Sequence, residues 1–206
     1  GVYKLDMNKC ILERYISANY QSYNEMNGDN INDVFVDESK RIWLANYPTG
    51  ITVIDYRYEN YHWMKHSMGN KQSIVNDQVH AVIEDSDGDL WFGTSNGISL
   101  YNSGTGEWHS FLSSFNHQLK DKNHIFITLC EVSPGIIWAG GYTSGIYKIN
   151  KADLSVEYFS PYLLSHINMR PDKYIRDMIK DSKGHIWSGG YYNLKCFDLA
   201  TNSVRL

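Results

Sequence analysis

Four tryptophans, Trp43, Trp91, Trp138 and Trp187, stand 48, 47 and 49 residues apart. Each lies in a similar phrase: VFVDESKRIWLAN, VIEDSDGDLWFGT, LCEVSPGIIWAGG and MIKDSKGHIWSGG. A short apolar stretch follows each one: GITVID from Gly50, GISLY from Gly97, GIYKIN from Gly145 and NLKCFDL from Asn193. GVYKLD, from Gly1, matches the same stretch. A period of this length carried through a chain constrains its architecture strongly, because each copy must fold to one unit and stack on the next. The sequence therefore holds four copies and the tail of an earlier one.

Within a copy, four strands are expected. In the second they are VHAVIE (a), LWFGT (b), GISLY (c) and EWHSFL (d). All are short, rich in β-branched or aromatic residues, and bounded by Gly, Asn, Asp and Ser. Four-stranded units of this period are blades of a β-propeller. The fold class is thus all-β: a partial propeller of about four and a half blades in one domain over 1–206. The blades are expected near 1–20, 30–66, 76–113, 123–160 and 172–206. A lone blade cannot bury both of its faces, so the strand-b tryptophan is expected to pack between blades.

The a–b turn reads DSDG in the second copy and DSKG in the fourth. Asp85 or Asp181 opens the turn, and Gly88 or Gly184 supplies a left-handed backbone. DSDGD also invites a calcium reading, but a calcium-binding EF-hand loop needs glycine at its sixth position and glutamate at its twelfth. Counted from Asp85, those positions hold Leu90 and Asn96. The matching turns put Lys183 and His185, or Ser39 and Arg41, where Asp87 and Asp89 stand. A structural turn is the better reading, and no metal or cofactor is expected.

A net charge of −4 without long single-sign runs gives no footprint for nucleic acid. No apolar run approaches the 18 residues of a membrane helix, so no direct membrane insertion by this segment is expected. Three cysteines, Cys10, Cys130 and Cys196, cannot all pair within one chain; the latter two fall in strands, where cysteine acts as a small hydrophobe.

VHAVIEDSDGDLWFGTSNGISLYN resembles the two-component regulator propeller repeat, and SIVNDQ from Ser73 and NINDVFVD from Asn30 resemble that family's approach to strand a. The resemblance extends over essentially the whole chain and is strongest at 73–101. It departs in the third copy, where Val132 replaces the turn aspartate, and in the fourth, where Asn193 replaces the glycine before strand c. It implies the periplasmic sensor region of a hybrid two-component histidine kinase, and recognition of an oligosaccharide. It also implies signalling through a membrane helix to a cytoplasmic kinase, and more blades than occur here. Uncovered blade faces are expected to favour self-association, with a dimer as the simplest form.

Strands that alternate in direction bring the b–c and d–a loops to one face of a propeller. The b–c loops are NYPTG, TSNG, GYTSG and GYYN. They carry Tyr47, Tyr142, Tyr191 and Tyr192, and a phenol ring offers a sugar both an apolar plane and a hydroxyl. Asn46, Asn96 and Asn193 are placed to add amide contacts. A second set stands eleven residues before each Trp, beside the central channel: Asn32, His80, Ile127 and Arg176. These differ between copies whose framework repeats, so Asn32, His80 and Arg176 are candidates for ligand contact; filling a wet channel is the alternative. The long d–a loops add His117, His124, His166 and Arg170.

Catalysis has little support. The histidines show no zinc spacing, and neither a nucleophile elbow nor a phosphate loop appears. The expected function is non-enzymatic ligand sensing. A secreted propeller glycosidase or lyase assembling its acid and base from different blades, or a protein-binding scaffold, is the alternative.

Overall fold

The computed structural model describes residues 2–16, 30–55, 60–114, 123–159, 173–201 and 203–205. The chain is all-β, as the repeat requires. A two-stranded sheet, β1 (Val2–Asp6) and β2 (Ile11–Ile16), precedes four antiparallel meanders of four strands each. The first meander contains β3 (Ile31–Val36), β4 (Ile42–Asn46), β5 (Gly50–Asp55) and β6 (Asn60–Met64). The second contains β7 (Val79–Glu84), β8 (Leu90–Thr94), β9 (Gly97–Tyr101) and β10 (Trp108–Phe111). The third has β11 (Phe126–Ser133), β12 (Ile136–Gly141), β13 (Ile146–Asn150) and β14 (Ser155–Phe159). The fourth has β15 (Ile175–Lys180), β16 (Ile186–Gly190), β17 (Leu194–Asp198) and β18 (Ser203–Arg205).

The core lies between the sheets. One apolar cluster joins Trp43, Ile51 and Val53 of the first blade to Val79, Val82 and Phe92 of the second. Another joins Trp91, Ile98 and Phe111 to Phe126, Leu129 and Ile137. A third joins Cys130, Trp138 and Ile146 to Ile175, Met178 and Phe197. Each of these tryptophans therefore packs toward the following blade. Trp91 is fully buried; removing an indole from water contributes at most about 5 kcal/mol. Strands b and c of an interior blade are covered on both faces. That explains why LWFGT is buried throughout while SVEYF of β14, at the rim, is largely exposed.

The same positions lose their cover on the outer faces. Val34 is 47% exposed, whereas its counterparts Val82, Leu129 and Met178 are buried against the preceding blade. Ile179 is 59% exposed, whereas its counterpart Cys130 is buried by the fourth blade.

The a–b turns explain the repeated Asp and Trp. Asp85 Oδ2 accepts from Trp91 Nε1 at 2.8 Å, and Asp85 Oδ1 accepts the backbone N–H groups of Asp87 and Asp89, both at 3.0 Å. Asp37 with Trp43 and Asp181 with Trp187 repeat the indole contact at 3.0 Å. The turn backbone is left-handed at the same place in all four copies: Lys40 (φ 66), Gly88 (φ 83), Gly135 (φ 72) and Gly184 (φ 84). Glycine relieves the strain in three of them, and Lys40 adopts the conformation without that relief.

The acidic turn that invites a calcium reading already holds a cation. Lys151, from the c–d turn of the third blade, places Nζ 2.8 Å from Asp85 Oδ2, 2.8 Å from Asp87 Oδ2 and 2.9 Å from Asp89 Oδ2. Burial would push the Asp85 carboxyl up, but the hydrogen bonds from Lys151 and Trp91 outweigh it and hold the carboxyl below its usual range. Burial likewise works against the Lys151 ammonium, yet the three carboxylates hold its pKa well above the ordinary lysine value. Beside this latch, Glu131 of the third blade accepts from Ser86 N and Ser86 Oγ, each at 2.9 Å.

Asp85→Ala leaves the indole N–H, two turn N–H groups and Lys151 short of a buried acceptor. It should cost about 3 kcal/mol or more, read as lower thermal and urea unfolding midpoints. Asp181→Ala, in an open turn without such a lysine, should cost clearly less. The Asp85 contribution is fully present above the ordinary carboxylate pKa and is lost as pH falls through the lowered folded value. Equal losses for the two variants would contradict the latch.

Candidate functional site

Each strand a begins with a β-bulge. The pairing register skips a residue between Ile31 and Asp33, Val79 and Ala81, Phe126 and Thr128, and Ile175 and Asp177. The skipped residues are Asn32, His80, Ile127 and Arg176, the four singled out beside the channel. A bulge frees the extra residue from the ladder and re-aims its side chain. All four line one cavity of about 400 Å³ on the axis around which the blades are set.

The residues after the bulges tie the blades together. Asp33 accepts from Val34 N at 2.9 Å and, across the joint, from Val82 N at 3.0 Å. Thr128 Oγ1 accepts from Met178 N at 3.1 Å and donates to Asp177 Oδ1 at 3.2 Å. Burial is the main cause that raises the Asp33 pKa, and the Asp177 charge adds to it against the two backbone hydrogen bonds.

His80 sits in a relay at the channel mouth. Asn32 Nδ2 lies 3.0 Å from Val79 O and 3.3 Å from His80 Nδ1, and His80 Nε2 lies 2.8 Å from Ser95 Oγ. An amide N–H facing Nδ1 makes that nitrogen the acceptor, which places the ring proton on Nε2. The Tyr47 ring stands 6.0 Å from the imidazole. Burial, then the charge of Arg176, lowers the His80 pKa, so the ring is neutral near pH 7.

On the b–c face the tyrosines of the third and fourth blades gather. Tyr191 stacks on Tyr174 with centroids 4.0 Å apart and planes 22° apart; Tyr142 meets Tyr174 edge-on at 5.3 Å, and Tyr192 lies 6.4 Å from Tyr191. Tyr191 is 68% exposed. The neighbouring phenols Tyr142, then Tyr174, raise the Tyr191 pKa. Tyr47 stands apart from this group, against His80.

Beside the stack, Ser95, Asn96, Asn123, Thr143 and Lys173 line a second, open cavity of about 700 Å³. Asn96 Oδ1 accepts from Ser114 N at 3.0 Å, which fixes the amide at the rim. Asn123 Nδ2 is hydrogen-bonded to Thr143 Oγ1. Asn46 is different: it is fully buried at the end of β4 and presents no surface for a ligand. His124 joins blades, with its ring Nδ1 2.8 Å from Leu112 O and its carbonyl accepting from Gly97 N at 2.7 Å. His117, His166 and Arg170 lie outside the described residues.

Tyr174, Asn123 and Thr143 were not singled out from sequence. Tyr174 stands just before β15, two residues from Arg176, and the β15–β16 pairing, which sets Ile175 against Gly190, brings it under Tyr191 within the fourth blade. Among the described residues, no cluster of three or more His, Cys, Asp and Glu is arranged to hold a metal ion.

The ring assignment makes a prediction. His80 should titrate below the ordinary histidine value as the Nε2–H tautomer, read from ring nitrogen shifts during a pH titration. Because the folded pKa is lowered, the relay's stability is present above the unfolded pKa and is lost as pH falls through the folded one. A midpoint at or above the ordinary value would contradict the relay.

Residues 73–96 match the two component regulator propeller family. No match was found among curated proteins. Among solved structures, the extracellular domain of the hybrid two component system BT3049 from B. thetaiotaomicron superposes with a TM-score of 0.77 at 20% identity, over 95% of this chain and 26% of that one. The extracellular domain of BT4673 from the same organism gives 0.58 at 16% identity, over 100% and 34%. Virginiamycin B lyase from Staphylococcus aureus gives 0.66 at 15% identity, over 88% and 57%. The chain thus spans about a quarter to a third of the two extracellular domains. The chain has a β-propeller fold, and its residues 73–96 match the two component regulator propeller repeat.

Proposed function

We propose that this chain is the extracytoplasmic, periplasmic sensing propeller of a hybrid two-component histidine kinase, and that it binds an oligosaccharide without turning it over. The observation that carries this reading is the exposed Tyr191–Tyr174 stack beside an open cavity with amide and hydroxyl groups on its wall. A sugar ring has C–H groups on one face and hydroxyls at its edge. It matches an aromatic plane flanked by Asn96, Asn123 and Thr143. The fold shared with extracellular domains of two-component systems supports the place in a signalling chain, and the signal would pass to a cytoplasmic kinase. Self-association of this chain belongs to the same proposal, with Val34 and Ile179 exposed on the outer faces of the described blades.

Removing the platform tests this. In an oligosaccharide array followed by calorimetry, the chain should bind at least one oligosaccharide and return it unchanged. Tyr191→Ala and Tyr142→Ala should each weaken that binding about tenfold or more, since an aromatic stacking contact contributes about 1 kcal/mol or more beyond its buried area. Unchanged affinity in both variants, or new reducing or unsaturated ends in the ligand, would overturn the reading, the latter in favour of a glycosidase or lyase.

A further inference from the structure

Resting on the oligosaccharide reading, we infer that the channel mouth is a subsite for a carboxylate-bearing sugar, with Arg176 as its anchor. The sugar class is therefore a hexuronate oligosaccharide. Four observations lead to it. First, the bulge at the start of β15 takes Arg176 out of the ladder and places it on the cavity that Asn32, His80 and Ile127 also line. Second, Arg176 is exposed and makes no ion pair among the described residues, although Asp33 and Asp177 line the same cavity. Third, Arg176 and His80 line the same cavity, and the arginine charge lowers the His80 pKa. Fourth, Arg176 lies two residues from Tyr174, whose ring supports Tyr191. A ligand lying on the tyrosines therefore arrives at the guanidinium with its next residue.

The carboxylates in the same cavity decide what kind of anion fits. Asp33 and Asp177 stand one residue beyond the bulges and accept N–H and O–H groups of the blade joints. They repel an anion that descends the channel, but sugar hydroxyls donate to carboxylates. A hexuronate satisfies both levels: its carboxylate accepts two N–H groups of the arginine fork at the mouth, and its hydroxyls turn toward the aspartates. Neutral His80 adds no competing charge, and Ile127 gives the ring an apolar side wall. A cavity of about 400 Å³ is at the lower end of sites that enclose small ligands.

The test uses a panel of galacturonate, glucuronate and mannuronate oligosaccharides, each paired with its carboxyl-reduced neutral form, together with sulfated and neutral oligosaccharides. Calorimetry on the chain should find an acidic member that binds at least tenfold more tightly than its reduced partner. Arg176→Gln should abolish that preference and Arg176→Lys should restore part of it, whereas Tyr191→Ala should weaken the acidic and reduced forms alike. Arg176→Gln should also raise the His80 titration midpoint without ligand, reporting loss of the charge from the mouth. Equal affinity for acidic and reduced forms, or binding of neutral oligosaccharides alone, would overturn the carboxylate subsite and leave oligosaccharide sensing standing. Binding of sulfated members alone would replace the carboxylate by a sulfate and overturn the hexuronate assignment. Binding of no oligosaccharide at all would overturn both.

Discussion

A hydrogen bond from an indole N–H to a turn carboxylate underlies the arrangement of this protein. In three of the four blades the aspartate that opens the a–b turn organises the turn backbone with one oxygen and holds the tryptophan six residues on with the other. Local geometry thereby fixes a large side chain, and that side chain becomes the contact with the following blade. The third blade lacks the aspartate and reaches the same packing by other means. Val132 is buried, and Trp138 lies against Phe159 at 4.3 Å and Phe197 at 5.4 Å. Aromatic contact there takes over part of the positioning that a carboxylate performs elsewhere.

Sequence periodicity made the fold legible because the forces that define a blade are local and repeated. Strand length, turn chemistry and the apolar b and c strands recur in each copy. What escaped it depends on neighbours. Lys151 belongs to an ordinary c–d turn, and nothing around it announces that its ammonium lies among three aspartates 62 to 66 residues upstream. The bulges escaped as well: an extra residue in strand a leaves no mark in composition. Its position was still detectable, since Asn32, His80, Ile127 and Arg176 vary where their surroundings repeat.

The candidate site was legible in part, for a related reason. A loop position tells which face a residue occupies but not whether it points outward. Tyr142, Tyr191 and Tyr192 share a cluster, whereas Tyr47 is separated from them and packs by His80. Asn46 shares its loop with Tyr47 yet is fully buried at the end of its strand. Tyr174 precedes a strand rather than standing in a b–c loop, so a search by loops passed over the ring on which Tyr191 rests.

The bulge keeps the blade framework apart from the residues that line the cavity rim. Strand a must supply buried residues to both of its joints, as Leu129 and Cys130 do for the third blade, and those positions cannot change size freely. The extra residue at the bulge has no such duty, because it stands outside the ladder and over the axis. Its identity alternates among an amide, an imidazole, an alkyl group and a guanidinium, and of these the Asn32 amide also reaches across its joint to Val79 O and the His80 ring. Asp33 and Thr128, one residue further on, are tied to the neighbouring blade by hydrogen bonds, so the cavity floor is fixed while its rim varies. On the proposed reading, substitutions at the four rim positions would change what such a propeller binds while it retains the same core.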